Sequence, residues 1–367
     1  MKLVYFFLFG FFSIQVFAQP RLFSGSDAPL SISVLPKTGF LIAHRANMSH
    51  LVKDRNTAFE IEFCQQDNRR TFTTDYYRFP SRGFALQYQD YGYKDVLGSS
   101  YSVLQFTKFN LLQKSKFGFL DFRIGSGIAY ITKDYNVVTN PKNNAIGSKW
   151  NAYVNMQLVY TKYWNHFLLG AGLEMSHYSN AAISAPNLGL NTPMAFVKIG
   201  YAISERNIFT PDTNPVIAIL PRAGNRFQIH AIGSVKQNLP GYHLSKYLPI
   251  LAVQAMYRKR LNFKWDFETG FDLIYNEANR QKYDDQTYSF GETIQFGIFV
   301  GAAANFYKSQ IFVGLGGYLY NKINPAGWIY NRIGYRYNFN AHLNAMVAIK
   351  ANIGIADYLE FGLGWRF

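Results

Sequence analysis

Side chains on a β-strand point alternately to two faces, so a period of two in hydrophobicity marks a strand with one apolar side. From Trp150 the even positions read Trp150, Ala152, Val154, Met156, Leu158 and Tyr160, against Asn151, Tyr153, Asn155, Gln157, Val159 and Thr161. The stretch at 120–130 sets Leu120, Phe122, Ile124, Ile128 and Tyr130 opposite Asp121, Arg123, Gly125 and Gly127. From Leu343 the apolar set is Leu343, Ala345, Val347, Ile349 and Ala351. Segments of this kind begin near residues 39, 58, 84, 102, 119, 150, 167, 195, 226, 248, 263, 293, 311, 329, 342 and 358. Each is about 9–14 residues long, enough to cross a bilayer when tilted. Their polar faces are rich in Gly, Asn, Arg and Glu, as a barrel lumen would be. Backbone groups in lipid must pair internally, so such strands span only as a closed ring. The pattern therefore predicts an all-β chain: a transmembrane antiparallel outer-membrane β-barrel of 12–16 strands. We expect one ring over residues 19–367, with both termini periplasmic and the 180–193 loop extracellular.

Composition sharpens this picture. Aromatic residues make up 18% of the chain, with 27 Tyr and 33 Phe, while charged residues are only 16%. Outer-membrane barrels need aromatic girdles at both interfaces, whereas a soluble β-sandwich rarely carries so many. The opening "MKLVYFFLFGFFSIQVFAQP" has an early lysine, a short apolar run and Val16-Phe17-Ala18, the layout of a signal peptide over residues 1–18. Cys64 is the only cysteine, so no internal disulfide can form. For an exported chain of formal charge +15, anionic lipid headgroups explain the basic balance better than nucleic acid does. The final stretch "DYLEFGLGWRF" puts Leu359, Phe361, Leu363, Trp365 and Phe367 on one face. It resembles the last strand of bacterial outer-membrane barrels, whose terminal aromatic is read by the barrel assembly machinery.

An internal echo points to two halves, 19–204 and 226–367. "DFRIGSGIAY" at 121 and "DFETGFDLIY" at 266 are offset by the same interval as "FLLGAG" at 167 and "FVGLGG" at 312. If this marks a degenerate repeat, Lys322 and Asn324 stand in the second half where the first has His177 and Ser179. Only the first half could then hold a site of that kind. The Pro-bearing stretch 205–225 would connect the halves.

Candidate chemistry lies in "EMSHYSNAAISAPNLGLN", residues 174–191. His177 and Ser179 share parity with Phe167, Leu169, Ala171, Leu173 and Met175, so both belong to the apolar, lipid-facing side. Polar groups there carry a free-energy cost unless satisfied or functional. At i and i+2 the histidine reaches the serine hydroxyl as a general base would. Taken alone, the pair reads better as a polar strand end in the headgroup zone than as a catalytic pair.

The longer run resembles the lipid A 3-O-deacylases of the PagL type, whose signature is His-x-Ser-Asn followed by a Pro-Asn-x-Gly loop. The matching residues are His177, Ser179, Asn180, Pro186, Asn187 and Gly189. The resemblance spans at most residues 20–204. It implies Ser179 as nucleophile and His177 as base, with an oxyanion hole from Asn187 and the backbone N–H groups of Asn180 and Ala181. It also implies lipid A of lipopolysaccharide as substrate, in a cell outer membrane. Where that family has a glutamate to orient the histidine, this chain has Asn191. Three readings stand. Asn191 accepts the imidazole N–H at some loss of rate, a carboxylate enters from another strand, or the chain binds lipid without efficient hydrolysis. Glu174 has the parity of the lumen and offers no substitute. No metal cluster, phosphate-binding glycine loop or redox motif is visible, so no cofactor is expected. The alternative from another class is a non-catalytic barrel, a channel or lipid-binding wall.

Overall fold

A computed structural model describes residues 30–67, 74, 77–114, 118–181, 183–203, 226–237, 246–280, 288–306, 308–323, 327–353 and 355–367. The expected signal segment, the 205–225 connection and Asn324 lie outside the described residues. The described chain forms sixteen antiparallel strands, as the alternation predicts, but they close as two rings rather than one.

The first ring orders its strands as in the sequence: β1 (Leu30–Gly39), β2 (Asn56–Gln66), β3 (Ser81–Asp90), β4 (Ser99–Lys114), β5 (Gly118–Ile131), β6 (Trp150–Trp164), β7 (Phe167–Ser179) and β8 (Leu190–Ala202). It closes where β1 pairs antiparallel with β8, Val34 against Ile199 and Gly39 against Met194. The second ring comprises β9 (Arg226–Gln237), β10 (Tyr247–Arg260), β11 (Trp265–Asn276), β12 (Ile294–Phe306), β13 (Ser309–Asn321), β14 (Ile329–Asn338), β15 (Leu343–Asn352) and β16 (Ile355–Arg366). It closes through β9 and β16. The expected single ring is therefore corrected.

The physical reason lies in the lumen. Eight strands leave an interior that side chains can just fill, whereas sixteen leave a water channel. In the first ring Arg123 bonds Glu60 at 2.5 and 2.9 Å and Glu62 at 2.9 Å. Lys108 and Lys198 reach Glu62 at 2.5 and 2.7 Å. Lys37 bonds Glu60 and Gln87 at 2.7 and 2.6 Å, and also Glu174. All seven charged side chains are buried. Burial of a charge is tolerated when it is paired and hydrogen-bonded, and a narrow ring allows that pairing from wall to wall. The second ring repeats the solution with other residues. Arg332 joins Asp272 and Glu360, and Arg336 joins Glu268.

One strand start also needs correction. The first strand is expected from residue 39 but runs Leu30–Gly39. The apolar run Phe40-Leu41-Ile42 follows it, and two of its N–H groups continue the ladder, Phe40 to Pro193 O at 3.2 Å and Ile42 to Asn191 O at 2.9 Å. The echo sets β5 against β11 and β7 against β13, the same shift of two strands between the two rings.

Outside, the first ring is apolar and its registers line up in rows. Tyr88, Tyr101, Tyr130 and Trp150 are consecutive partners across β3 to β6. Tyr88 and Tyr101 lie 5.3 Å apart, and Tyr130 and Trp150 5.2 Å. At the opposite end Phe167 packs on Tyr201 at 5.6 Å. Two aromatic bands flanking an apolar wall are what a bilayer-spanning barrel requires.

The lumen network yields a test. Arg123→Leu leaves Glu60 with Lys37 as its cation and removes one bond from Glu62, and should lower stability by about 3–5 kcal/mol. Denaturant melting in detergent micelles measures this; a loss under about 1 kcal/mol would show that the network does not hold the ring.

Candidate active site

The site stands at the end of β7, on the wall rather than in the lumen. Along β7, Phe167, Leu169 and Leu173 are exposed while Leu168, Gly170, Glu174, Ser176 and Tyr178 are buried. His177 and Ser179 have the parity of the exposed set, although His177 is half-buried and Ser179 buried. Glu174 points inward to Lys37 and Gln157, as its parity predicts. Ser179 pairs with Ala152 on β6 and so completes the row Leu86, Val103, Ile128, Ala152. That row lies two residues inside the Tyr88–Trp150 band, about 7 Å along the strand. The serine therefore sits at the boundary between an aromatic girdle and an apolar wall.

His177 and Asn191 are direct cross-strand partners on β7 and β8. Residues opposite one another in an antiparallel pair have close Cβ atoms on the same face. Asn191 Oδ1 lies 2.7 Å from His177 Nδ1, and His177 Nε2 lies 3.0 Å from Ser179 Oγ. Three residues expected to act together thus form one hydrogen-bonded line along the outer wall.

The loop between β7 and β8 adds a second arrangement. Asn180 N–H donates to Asn187 Oδ1 at 2.9 Å, and Asn180 Nδ2 donates to Ser148 Oγ at 3.1 Å. A backbone N–H can only donate, so the oxygen of the Asn187 amide must face Asn180. The amide nitrogen is the donor that remains on that side chain. Ala181 follows with φ of 52°, a left-handed backbone uncommon outside glycine and asparagine.

Gly189 of the motif has a steric reason. Its φ is +80°, and a Cβ built there would stand 2.8 Å from His177 Cε1. Its N–H donates to Ala145 O at 2.9 Å, which ties the loop to the one between β5 and β6. The absent side chain leaves room for the imidazole.

Two partners escaped the sequence reading. His44, between β1 and β2, places Nδ1 3.1 Å from Asn191 Nδ2 and Nε2 3.1 Å from Leu188 O. Ser148 holds Asn180. Both come from loops far away in sequence, which only ring closure and strand register bring here. Among the described residues no group of His, Cys, Asp and Glu could hold a metal ion.

Gly189→Ala should strain the backbone by about 1–2 kcal/mol and drive the ring off Ser179. A structure of the variant should keep the strand registers but lengthen His177–Ser179 beyond hydrogen-bond reach. A bond still at its present length would contradict this account of the glycine.

Comparison with known proteins bears on both rings. A family model described as lipid A 3-O-deacylase (PagL) matches residues 67–200. A second, described as acyloxyacyl hydrolase, C-terminal domain, matches residues 225–367. The second match coincides with the second ring, so the part beyond the sequence resemblance is itself a recognised domain. A comparison with curated proteins returned no match. Among solved structures, a multiply substituted mutant of the Rh. blastica porin is 8% identical with a TM-score of 0.18, covering 92% of this chain and 99% of the porin. A triple mutant of the Rhodopseudomonas blastica porin is 7% identical, also with a TM-score of 0.18, 92% of this chain and 99% of that one. Likeness at that level carries no argument about fold or activity. The two family models span most of the chain in succession, and the first contains the His177–Ser179 strand: the chain belongs to the PagL-type lipid A 3-O-deacylase and acyloxyacyl hydrolase family.

Proposed function

We propose that this chain is an outer-membrane serine esterase that removes an ester-linked acyl chain from lipid A. The observation that carries the reading is the line Asn191–His177–Ser179, bonded at 2.7 and 3.0 Å on the lipid-facing wall. A substrate whose ester joins a sugar headgroup to acyl chains presents its scissile bond at the depth where aromatic girdle meets apolar wall.

The chemistry follows from the atoms. His177 Nε2 takes the Ser179 Oγ proton as Oγ attacks the ester carbonyl carbon. Negative charge gathers on the carbonyl oxygen, and Asn187 Nδ2 is the donor to receive it. Asn180 N–H, engaged by Asn187 Oδ1, then serves to aim that amide. Collapse of the tetrahedral intermediate breaks the bond to the sugar oxygen, which leaves with the proton from His177. Water, deprotonated by the same nitrogen, releases the acyl chain from Ser179. Asn191 Oδ1 accepts a hydrogen bond from His177 Nδ1–H and holds the tautomer that leaves Nε2 unprotonated. A channel is the poorer reading, because paired charges occupy the described interior of the first ring.

Mass spectrometry of lipid A from cells with and without the protein should show loss of one acyl chain. Ser179→Ala should abolish that loss, with a rate lower by on the order of 10³-fold or more. Asn191→Ala should lower it about 3- to 10-fold, the worth of one hydrogen bond, and Asn191→Glu should preserve or raise it. Deacylation that survives Ser179→Ala would end the reading.

A further inference from the structure

An asparagine in the orienting position raises a problem that a glutamate does not. Both oxygens of a carboxylate accept, so either can hold an imidazole N–H. An amide has one face that accepts and one that donates. With Oδ1 toward His177, the ring carries its proton on Nδ1 and Nε2 can take one from Ser179. With Nδ2 toward His177, Nδ1 must accept, the proton sits on Nε2, and the base is spent. The same atoms in the same places are competent in one orientation and dead in the other.

We infer that His44 is a positioning residue for hydrolysis: it fixes the orientation of the Asn191 amide and, through it, the tautomer of His177. This rests on the serine-esterase reading above. The roles follow by elimination from one backbone carbonyl. Leu188 O can only accept, so His44 Nε2, 3.1 Å away, carries a proton. In neutral His44 the other nitrogen, Nδ1, then has a lone pair. It lies 3.1 Å from Asn191 Nδ2, which can only donate. With Nδ2 committed to His44, Oδ1 faces His177 Nδ1 at 2.7 Å and accepts a hydrogen bond from its N–H. His177 Nε2 is left unprotonated, 3.0 Å from Ser179 Oγ. Proton positions along Leu188, His44, Asn191, His177 and Ser179 are thus set by an acceptor that cannot change its role.

The fold holds His44 to this task. β1 closes the ring on β8, and the ladder runs on past the strand end, where Ile42 N–H donates to Asn191 O at 2.9 Å. Two residues later the chain has reached the side chain of Asn191. Beyond it Met48 and Leu51 are buried in the same apolar cluster as Leu41, Tyr178 and Leu190. His44 is therefore pinned on both sides while its own ring stays exposed.

The test has a spectroscopic arm and a kinetic arm. In protein carrying ¹⁵N-labelled histidine, without substrate, His177 should show a protonated Nδ1 and an unprotonated Nε2. In His44→Ala the two shifts should move toward each other as the second tautomer fills. In His44→Gln, whose carbonyl oxygen can accept from Asn191 Nδ2, they should return toward the original values. Shifts unchanged in His44→Ala overturn the proposal, whether or not the protein hydrolyses lipid A. Kinetically, the rate falls with the fraction in the competent state, so His44→Ala should cost about 3- to 10-fold in kcat with little change in KM. In an Asn191→Glu background the same change should cost under about 2-fold, because a carboxylate has no wrong face. Equal losses in both backgrounds would assign His44 to substrate binding or loop packing and also overturn the proposal. Failure of the esterase reading would appear separately, as hydrolysis that does not need Ser179.

Discussion

Backbone amides in a bilayer have no water to bond, and everything in this molecule follows from closing their ladder within the chain. Closure through β1 and β8 satisfies the edges of the first ring. It also lays the start of the first loop beside the start of the ring's last strand, 147 residues apart at His44 and Asn191. The site is thus a product of the seam. A ring left open there would keep His177 next to Ser179 but would lose the partner of Asn191.

Ring size then decides what lies inside. Four basic and three acidic side chains of the first lumen meet each other directly, which only a narrow barrel allows. Glu174 belongs to that network, which removes it from the wall chemistry of His177 and Ser179 further along β7. Near the site, Tyr153 and Tyr178 stack at 4.5 Å inside the ring and stiffen the strand that carries His177 and Ser179 outside. Lumen and wall are two faces of one strand, and the alternation that fills the first aims the second.

Much of this was readable from residues alone, because the controlling signal is local. Period two marks the strands, and parity puts His177 and Ser179 on the wall and Glu174 in the lumen. The motif residues Asn180, Asn187 and Gly189 are close in sequence and so could be recognised together. What could not be read is long-range. Alternation is the same in an eight-stranded and a sixteen-stranded ring, so the strand pattern could not reveal two closures. The first strand was displaced because Phe40-Leu41-Ile42 is more apolar than the Ser- and Lys-bearing stretch before it, whose Ser33 and Lys37 face the lumen. His44 carried no signal at all: a lone histidine in a loop gains a role only through register across the seam.

The claim at the centre is that the outer wall of the first ring carries an activated serine. Reaction of the folded protein in micelles with a long-chain fluorophosphonate, followed by peptide mapping, tests it most directly, since such probes bond to a serine whose proton a base removes. The expected result is one adduct, on Ser179, lost in His177→Ala. A protein that stays unlabelled, or an adduct on a serine away from β7, would contradict the account.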